Sequence, residues 1–453
     1  MVSRPAQCTV WRNRPMQFLI VTPDADLAER SLEILGRIGG EVRATHCPAV
    51  EEALDVLRYD LPEIVLIDFE DTGMPRLLSG LQADPWLHSV GILAIHKNPN
   101  GEEFRCLSEG ANILAAFRPA DLPRRLPIVA AVLLRHRHLV FQRDLQRILI
   151  PHIAGHLEMD NDPFQVGLFA SLVSSFLYHS DFIVTSAREE IRLAMTELLL
   201  NAVEHGNCGI TYSEKTAFLK RGDCIEDLIS LKLQDPCIAG RHVSVSYHIS
   251  PEESSFTISD EGAGFDWRSV PSPVDKDGMP LPHGRGIHIA SSIFDSLSYN
   301  EKGNAVTFRV KHQQERSNLI PGLFEGGDET PFRKGDTVFY RGEASSHLYY
   351  IVSGTYGVYN QGGRLIATLE PSDLFLGEMS FLLKNKRTAT VKALSDGALI
   401  RVNKKDFMNA VRKRPYYGIL LARLLAARIE LRNMPPAPHH KRKEVQAKTG
   451  GAA

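Results

Sequence analysis

Five short apolar runs between residues 17 and 117 most restrict the folds open to this chain. They are QFLIV (17–21), EVRAT (41–45), IVLID (64–68), GILAI (91–95) and ILAAF (113–117). Amphipathic segments separate them, such as the one carrying Leu27, Leu32, Leu35 and Ile38 at helical spacing. Apolar strands alternating with such helices predict a parallel sheet covered on both faces. Five strands within about 100 residues make a small doubly wound α/β domain, placed at residues 16–123.

The pattern then changes. Residues 124–160 carry Val129, Val132, Leu133, Leu139, Val140, Leu145, Ile148 and Leu149 at helical spacing, which predicts a connecting helix bounded or kinked by Pro127 and Pro151. A signal-transmitting helix, a dimerising helix and a plainly packed one all fit. Residues 161–313 mix helices with the strands HVSVSYHI (242–249), SSFTISD (254–260) and AVTFRV (305–310), an α+β pattern interrupted by an insert at about 208–241. A linker with Pro321, Gly322, Gly326 and Gly327 leads to short strands over 331–403, among them HLYYIVSG, YGVYN and TATVKAL. Their density predicts an antiparallel barrel or sandwich, with Lys404 to Leu431 helical and the whole domain at 320–432. The tail 433–453, with HHKRK at 439–443, reads as a solvated disordered end.

A length of 453 residues predicts two to four domains. The net charge of −2 gives no general attraction to nucleic acid or to an anionic membrane surface. The six cysteines form no C-x-x-C and no zinc spacing with histidine, which predicts free thiols in a reducing compartment. The start lacks an apolar signal core, and the strongest apolar run, Leu126 to Leu134, is about half of the roughly 20 residues a membrane helix needs. The expectation is a cytoplasmic protein, bound to neither nucleic acid nor membrane.

Three pieces in the middle domain carry chemistry. The stretch IRLAMTELLLNAVEHGN places Glu197 and Asn201 four residues apart, on one helix face. DEGAGFD follows with Asp260, Gly262 and Gly264, then HGRGIHIA with Gly284, Arg285 and Gly286. A cleft-facing carboxylate and amide are costly without partners. Glycines let backbone approach closely, and N–H groups before a helix face phosphate. In this order and spacing the pieces resemble the N, G1 and G2 boxes of the Bergerat-type ATP-binding fold shared by histidine kinases, gyrase, mismatch-repair ATPases and anti-sigma-factor serine kinases. The resemblance implies an α/β-sandwich that binds ATP and Mg2+. It implies that Asn201 ligates magnesium through its side-chain oxygen, that Glu197 orients or deprotonates a hydroxyl nucleophile, and that Asp260 accepts from the adenine amino group. Asp266 and Arg285 are further candidates for nucleotide contacts.

Within that fold the phrases TELLLNAVEHGN and GRGIHIASSIFDSL, with a short lid between DEGAGFD and HGRG, resemble the anti-sigma-factor serine kinases. None of His136, His138, His152 or His156 sits in a phosphohistidine motif followed by an acidic residue. Phosphoryl transfer to Ser or Thr of a partner is the implied activity, and the implied partner is an anti-sigma-antagonist-like protein or a sigma factor. A homodimer is open. So is a non-catalytic switch in which ATP occupancy gates docking.

The first domain resembles a response-regulator receiver, with Asp68 at the end of the third strand where receivers carry the phosphoacceptor. Thr22 and Pro23 stand where receivers have an acidic pair, His96 replaces a Thr or Ser, and Arg118 before Pro119 replaces a Lys. Without the acidic pair magnesium is poorly held. The expectation is a pseudo-receiver acting by protein contact, with phosphorylation at Asp68 as the two-component alternative, Asp24 or Asp26 substituting.

The last domain resembles the cyclic-nucleotide-binding domain. LGEMSFLLKNKRTATVKA matches that family's phosphate cassette, with Gly377 and Glu378 followed by Arg387 and Thr388. Phe381 and Lys386 depart from the commonest residues, Leu and Pro. The resemblance implies a jelly-roll β-barrel with terminal helices. It implies that Arg387 pairs with the cyclic phosphate of cAMP or cGMP and that Glu378 accepts from the ribose 2′-hydroxyl. A Glu–Arg pair closing a turn would explain the same residues. The whole chain reads as a multidomain α/β and α+β signalling protein whose ATP module is regulated by cyclic nucleotide.

Overall fold

Strand β1 (Met16–Val21) opens the first domain and pairs in parallel with both β2 (Val42–Cys47) and β3 (Ile64–Asp68). β4 (Gly91–Ile95) and β5 (Ile113–Phe117) extend the sheet, in the order β2-β1-β3-β4-β5. This is a doubly wound order. The computed structural model describes residues 15–84, 87–140, 153–180, 182–250, 252–267, 285–312, 329–383 and 385–413, with positions 415, 418, 421, 422 and 425. Apolar side chains on both faces of each central strand demand cover on both sides. Helices α1 (Ala25–Gly36) and α5 (Leu122–Arg135) bury Leu35, Leu126 and Val129 against Phe18, Leu66 and Leu93. Helices α2 (Val50–Asp60), α3 (Met74–Gln82) and α4 (Glu102–Leu107) cover Leu19, Val65 and Ile92 on the other face.

The connecting helix expected over 124–160 ends at Arg135, and Ile153–Met159 is a strand, β6. Ile153, Leu157 and Met159 face inward while Ala154 and Glu158 are exposed, an alternation with period two. Leu145, Ile148 and Leu149 lie outside the described residues. The second domain continues with α6 (Pro163–His179), α7 (Thr185–Asn201), α8 (Tyr212–Leu219), α9 (Ile225–Lys232), α10 (Pro236–Ala239), β7 (Val243–Ile249), β8 (Glu253–Ser259), α11 (Arg285–Ile293), β9 (Ser296–Tyr299) and β10 (Ala305–Lys311). Its antiparallel sheet runs β6-β7-β8-β10-β9, and Val245, Phe256 and Phe308 pack under α6, α7 and α11. The 208–241 insert is helical, comprising α8 to α10.

Helix α6 is apolar around its whole circumference, with Val166, Phe169, Leu172, Val173 and Phe176 all buried. Such a helix needs cover on every side. One side rests on its own sheet and the other meets the first domain. Phe117 stands edge-on to Phe164 at 6.3 Å, and the Arg125 guanidinium lies 4.2 Å over the Phe164 ring. Arg125 also pairs with Asp162, the α6 N-cap, at 2.8 Å. Asn112, at the foot of β5, accepts from Ser175 Oγ (2.7 Å) and from Arg188 Nη2 of α7 (2.8 Å), and donates to the Ser89 carbonyl (2.8 Å). The Tyr247 hydroxyl reaches His136 Nδ1 and His138 Nε2, at 3.1 and 2.6 Å, over a glycine: a Cβ on Gly155 would stand 2.2 Å from that hydroxyl. The two domains share one core.

The third domain has β11 (Glu329–Phe332), β12 (Thr337–Phe339), β13 (His347–Ser353), β14 (Tyr356–Tyr359), β15 (Leu365–Leu369), β16 (Phe375–Leu376), α12 (Glu378–Leu382), β17 (Thr390–Ala393), β18 (Gly397–Asn403) and α13 (Lys404–Lys413). Of the expected antiparallel barrel or sandwich, the described residues form two four-stranded antiparallel sheets, β11-β18-β13-β16 and β12-β17-β14-β15. Edge strands as short as Phe375–Leu376 make no ladder from one sheet to the other among the described residues. Phe339, Ile351, Tyr356, Val391 and Leu399 fill the space between the sheets. Phe381 and Phe407, from α12 and α13, cover the outer face of the first sheet. Leu61, held at φ 51° after α2, packs against both this outer face and the first domain's core. No helix among the described residues is long and apolar enough to cross a membrane.

Candidate functional site

Glu197 and Asn201 lie on the last turn of α7, where residues four apart share a face. The start of α11 packs directly on them: a Cβ on Gly286 would come 2.6 Å from Glu197 Oε2 and 3.4 Å from Asn201 Nδ2. Both side chains are half-buried, and among the described residues neither hydrogen-bonds to protein. Burial holds the Glu197 carboxyl above the ordinary glutamate range; Lys215 opposes this and Glu204 adds to it. Arg285 is the first residue of α11, and Gly284 lies outside the described residues.

Asp260 follows β8 and packs against Gly206 on the turn beyond Asn201. Its backbone is clamped by Asn304, which accepts from the Asp260 N–H and donates Nδ2 to the Asp260 carbonyl, both at 2.9 Å. Asp260 Oδ1 accepts the Gly262 N–H at 2.9 Å, and Oδ2 has no protein donor among the described residues. Burial raises this carboxyl, against the Gly262 hydrogen bond and the positive charges of Lys302 and Arg241.

Three glycines let the walls meet. A Cβ on Gly206 would stand 2.3 Å from Asp260 Cγ, and one on Gly262 would stand 2.2 Å from the Gly206 carbonyl oxygen. Gly264 adopts φ +79° with its Cβ position 2.0 Å from the Lys302 carbonyl oxygen. Because the Gly262 neighbour is backbone, Gly262→Ala has nothing flexible to displace. We expect it to cost about 3 kcal/mol or more and to abolish nucleotide binding. A lowered melting midpoint with no calorimetric response to Mg-ATP would show this.

Sequence reasoning missed several residues of this site. After Asn201 the helix widens into a π-helical turn, Ala202–Asn207, a local winding frequent at functional sites. It presents Gly206 to Asp260 and buries Asn207 completely. Asn207 Oδ1 accepts the Glu261 N–H at 2.8 Å, and Nδ2 donates to Asn161 Oδ1 at 2.8 Å. The available signal was the HGN ending of the α7 stretch, where a glycine and an amide follow the N box. Glu204, buried at 2 % exposure, pairs with Lys215 of the insert.

In the third domain Gly377 takes φ +79° immediately before Glu378, and a Cβ there would collide with Arg387 Nη1 at 2.4 Å. Arg387 is buried. Its Nη1 donates to the Gly377 carbonyl (2.9 Å) and Ser380 Oγ (3.1 Å), its Nη2 to the His347 carbonyl (2.5 Å), and Phe339 lies beneath the guanidinium at 4.1 Å. Glu378 is buried and Thr388 exposed.

Asp68 stands at the end of β3, where Thr22 Oγ1 donates to Oδ2 at 2.9 Å and the Glu70 N–H to Oδ1 at 3.0 Å. Asp24 is committed as the N-cap of α1, accepting from Asp26 and Leu27. His96 is buried and accepts the Asn98 N–H at Nδ1 (3.0 Å); Arg118 pairs with Asp121 at 2.8 Å. Among the described residues no group of three or more His, Cys, Asp or Glu is arranged to hold a metal. A magnesium held by one amide, phosphates and water needs no such group.

Residues 159–310 match the histidine kinase-like ATPase domain model and residues 329–414 the cyclic nucleotide-binding domain model. The chain is 34% identical over 102 residues to the cyclic AMP receptor protein of Thermus thermophilus, covering 22% of this chain and 47% of that protein. It is 30% identical over 123 residues to the cAMP-dependent protein kinase type II regulatory subunit of Drosophila melanogaster, covering 26% of this chain and 31% of that protein. The chain thus spans less than half the length of these curated relatives. Among solved structures, the catabolite activator protein of Thermus thermophilus is 29% identical, with a TM-score of 0.23, covering 25% of this chain and 56% of that one. The chain carries a histidine kinase-like ATPase domain followed by a cyclic nucleotide-binding domain.

Proposed function

We propose that this protein binds Mg-ATP between α7, the 260–264 loop and α11, and transfers the γ-phosphoryl group to a Ser or Thr hydroxyl of a partner protein. The observation that carries this reading is the pair Glu197 and Asn201, half-buried at the start of α11 and bonded to no described protein group. In the transfer, the partner's hydroxyl oxygen forms the new bond to phosphorus, its proton goes to the Glu197 carboxylate, and the β,γ-bridging bond breaks with its electrons leaving on ADP. Asn201 would hold magnesium through its side-chain oxygen, which supplies charge neutralisation at the phosphates. Asp260 Oδ2 is free to accept from the adenine amino group. An anti-sigma-antagonist-like protein, or a sigma factor held directly, is the partner class that the α7 and α11 sequences favour.

Cyclic nucleotide is the proposed regulator. Relatives named for cAMP favour that ligand, with Arg387 exchanging its carbonyl partners for the cyclic phosphate. The Leu61 contact offers a route from the helical face of the third domain to the first, and the shared core continues it to α7. Coupling of this kind is a difference in affinity between two states.

Calorimetric titration of the full chain with Mg-ATP, with and without saturating cAMP, tests the proposal. We expect saturable binding that Asn201→Ala removes and cAMP shifts by about fivefold or more. No Mg-ATP binding in the wild type would overturn the reading; binding indifferent to cAMP would overturn the regulatory part.

A further inference from the structure

Among the contacts by which the helical insert meets the candidate ATP site, Lys215 brings a positive charge to a buried acid. Glu204 stands on the π-helical turn beyond Glu197 and is 2 % exposed. A buried carboxylate left without a counter-charge is strongly destabilising. The counter-charge comes from the insert, where Lys215 Nζ of α8 bonds to Glu204 Oε2. Lys215 is itself well seated. Thr211 Oγ1 caps α8 by accepting the Glu214 N–H at 3.2 Å, and Lys232 of α9 pairs with Glu214 at 2.8 Å. Leu228 and Ile229 of α9 are buried in the main core, and the Ile210 N–H donates to the Glu204 carbonyl at 2.8 Å. The Tyr212 ring lies 4.5 Å from that of His205. The insert is built onto the site.

We propose that Lys215 is a positioning residue for phosphoryl transfer: its ion pair with Glu204 fixes the π-helical turn and cancels a like charge that would otherwise face Glu197. The geometry carries it, and the electrostatics that follow from that geometry agree. The geometry puts the only described cation bonded to Glu204 on the insert. The electrostatics at Glu197 carry opposite contributions from Lys215 and Glu204, so the pair acts on the carboxylate that takes the hydroxyl proton. The inference rests on the transfer reading above.

The test follows basal hydrolysis of Mg-ATP to ADP and phosphate by the full chain, with water taking the place of the partner's hydroxyl beside Glu197, and Kd for Mg-ATP from calorimetry. We expect Lys215→Met to lower kcat by about tenfold or more while Kd stays within about threefold, because the loss concerns the reacting state. Lys215→Arg, and Lys215→Met combined with Glu204→Gln, should recover most of kcat. A wild-type kcat in Lys215→Met would overturn the inference. So would a fall in which Kd and melting midpoint degrade together and the double variant brings no recovery. Glu197→Gln separates the two levels: if it turns over Mg-ATP as fast as wild type, the transfer reading itself fails.

Discussion

A chain starting at Leu122 should fail to yield a soluble, cooperatively melting protein, although its ATPase and cyclic-nucleotide-binding domains are complete. Removing the first domain bares the second side of α6. Phe164 and Ser175 mark that side, and Leu168 and Leu172 lie close to it by helical periodicity. It also strips α5 of α1 and the parallel sheet, leaving Leu126, Val129 and Leu133 uncovered. Each large apolar side chain returned to water costs about 1.5–3 kcal/mol, so several together rival the roughly 5–15 kcal/mol that holds an ordinary domain together. Arg188 adds a polar penalty. Burial already holds its guanidinium below the usual arginine range, and without Asn112 it loses a hydrogen bond. Expression followed by thermal melting and Mg-ATP calorimetry checks this. A soluble truncated chain with a sharp transition and wild-type affinity would show that the shared core contributes little.

Glu197→Gln should abolish transfer while preserving nucleotide binding. The amide keeps the shape of the side chain and still fits beside Gly286, but it cannot accept the hydroxyl proton. Loss of a positioned general base is worth about 10²–10⁴ in rate. The pH dependence follows from the direction of the shift. Burial raises the Glu197 carboxyl above the ordinary glutamate range, so the active carboxylate form is lost as pH falls through that raised value. Activity should therefore decline at a higher pH than an exposed glutamate would give, and the residual rate of Glu197→Gln should lack that acid limb. Rates of basal hydrolysis, ADP and phosphate forming with water as the acceptor, from about pH 5 to 9 with Kd measured in parallel, decide the matter. Unchanged turnover in the variant would remove Glu197 from the chemistry.

The parallel sheet was legible because its strands are buried on both faces. IVLID, GILAI and ILAAF coincide with β3, β4 and β5, residue for residue. β7, β8 and β10 were legible from alternation. β6 was not, because Gly155 and His156 interrupt its apolar pattern, and the preceding apolar spacing invites a continuing helix. β9, only Ser296–Tyr299, is too short and polar to signal a strand. In the candidate site, the motif spacing named Glu197, Asn201, Asp260, Gly262 and Gly286, and the fold packs Gly286 on Glu197 and Asn201 and Gly262 beside Asp260. The spacing could not pick out Asn207, Glu204 or Lys215, whose roles depend on a change of helical winding and on an insert folding back. Nor could it show Arg387 bonded to the Gly377 and His347 carbonyls, because backbone acceptors leave no trace in residue identity. The union of the first two domains was equally invisible: Asn112 and Ser175 are ordinary polar residues until folding brings them together.

Helix α7 has its Arg188 end set in the first domain and its Asn201 end in the nucleotide cleft. Thirteen residues separate the two, a rigid span of about 20 Å. A shaft clamped at one end transmits any rotation of its mount to its tip. The first domain lacks the acidic pair of a phosphorylation centre, yet it is the bearing in which α7 is seated. Its evolution would then be constrained by the alignment of that bearing, and substitutions around Asn112 would surface as defects in nucleotide handling far from where they were made.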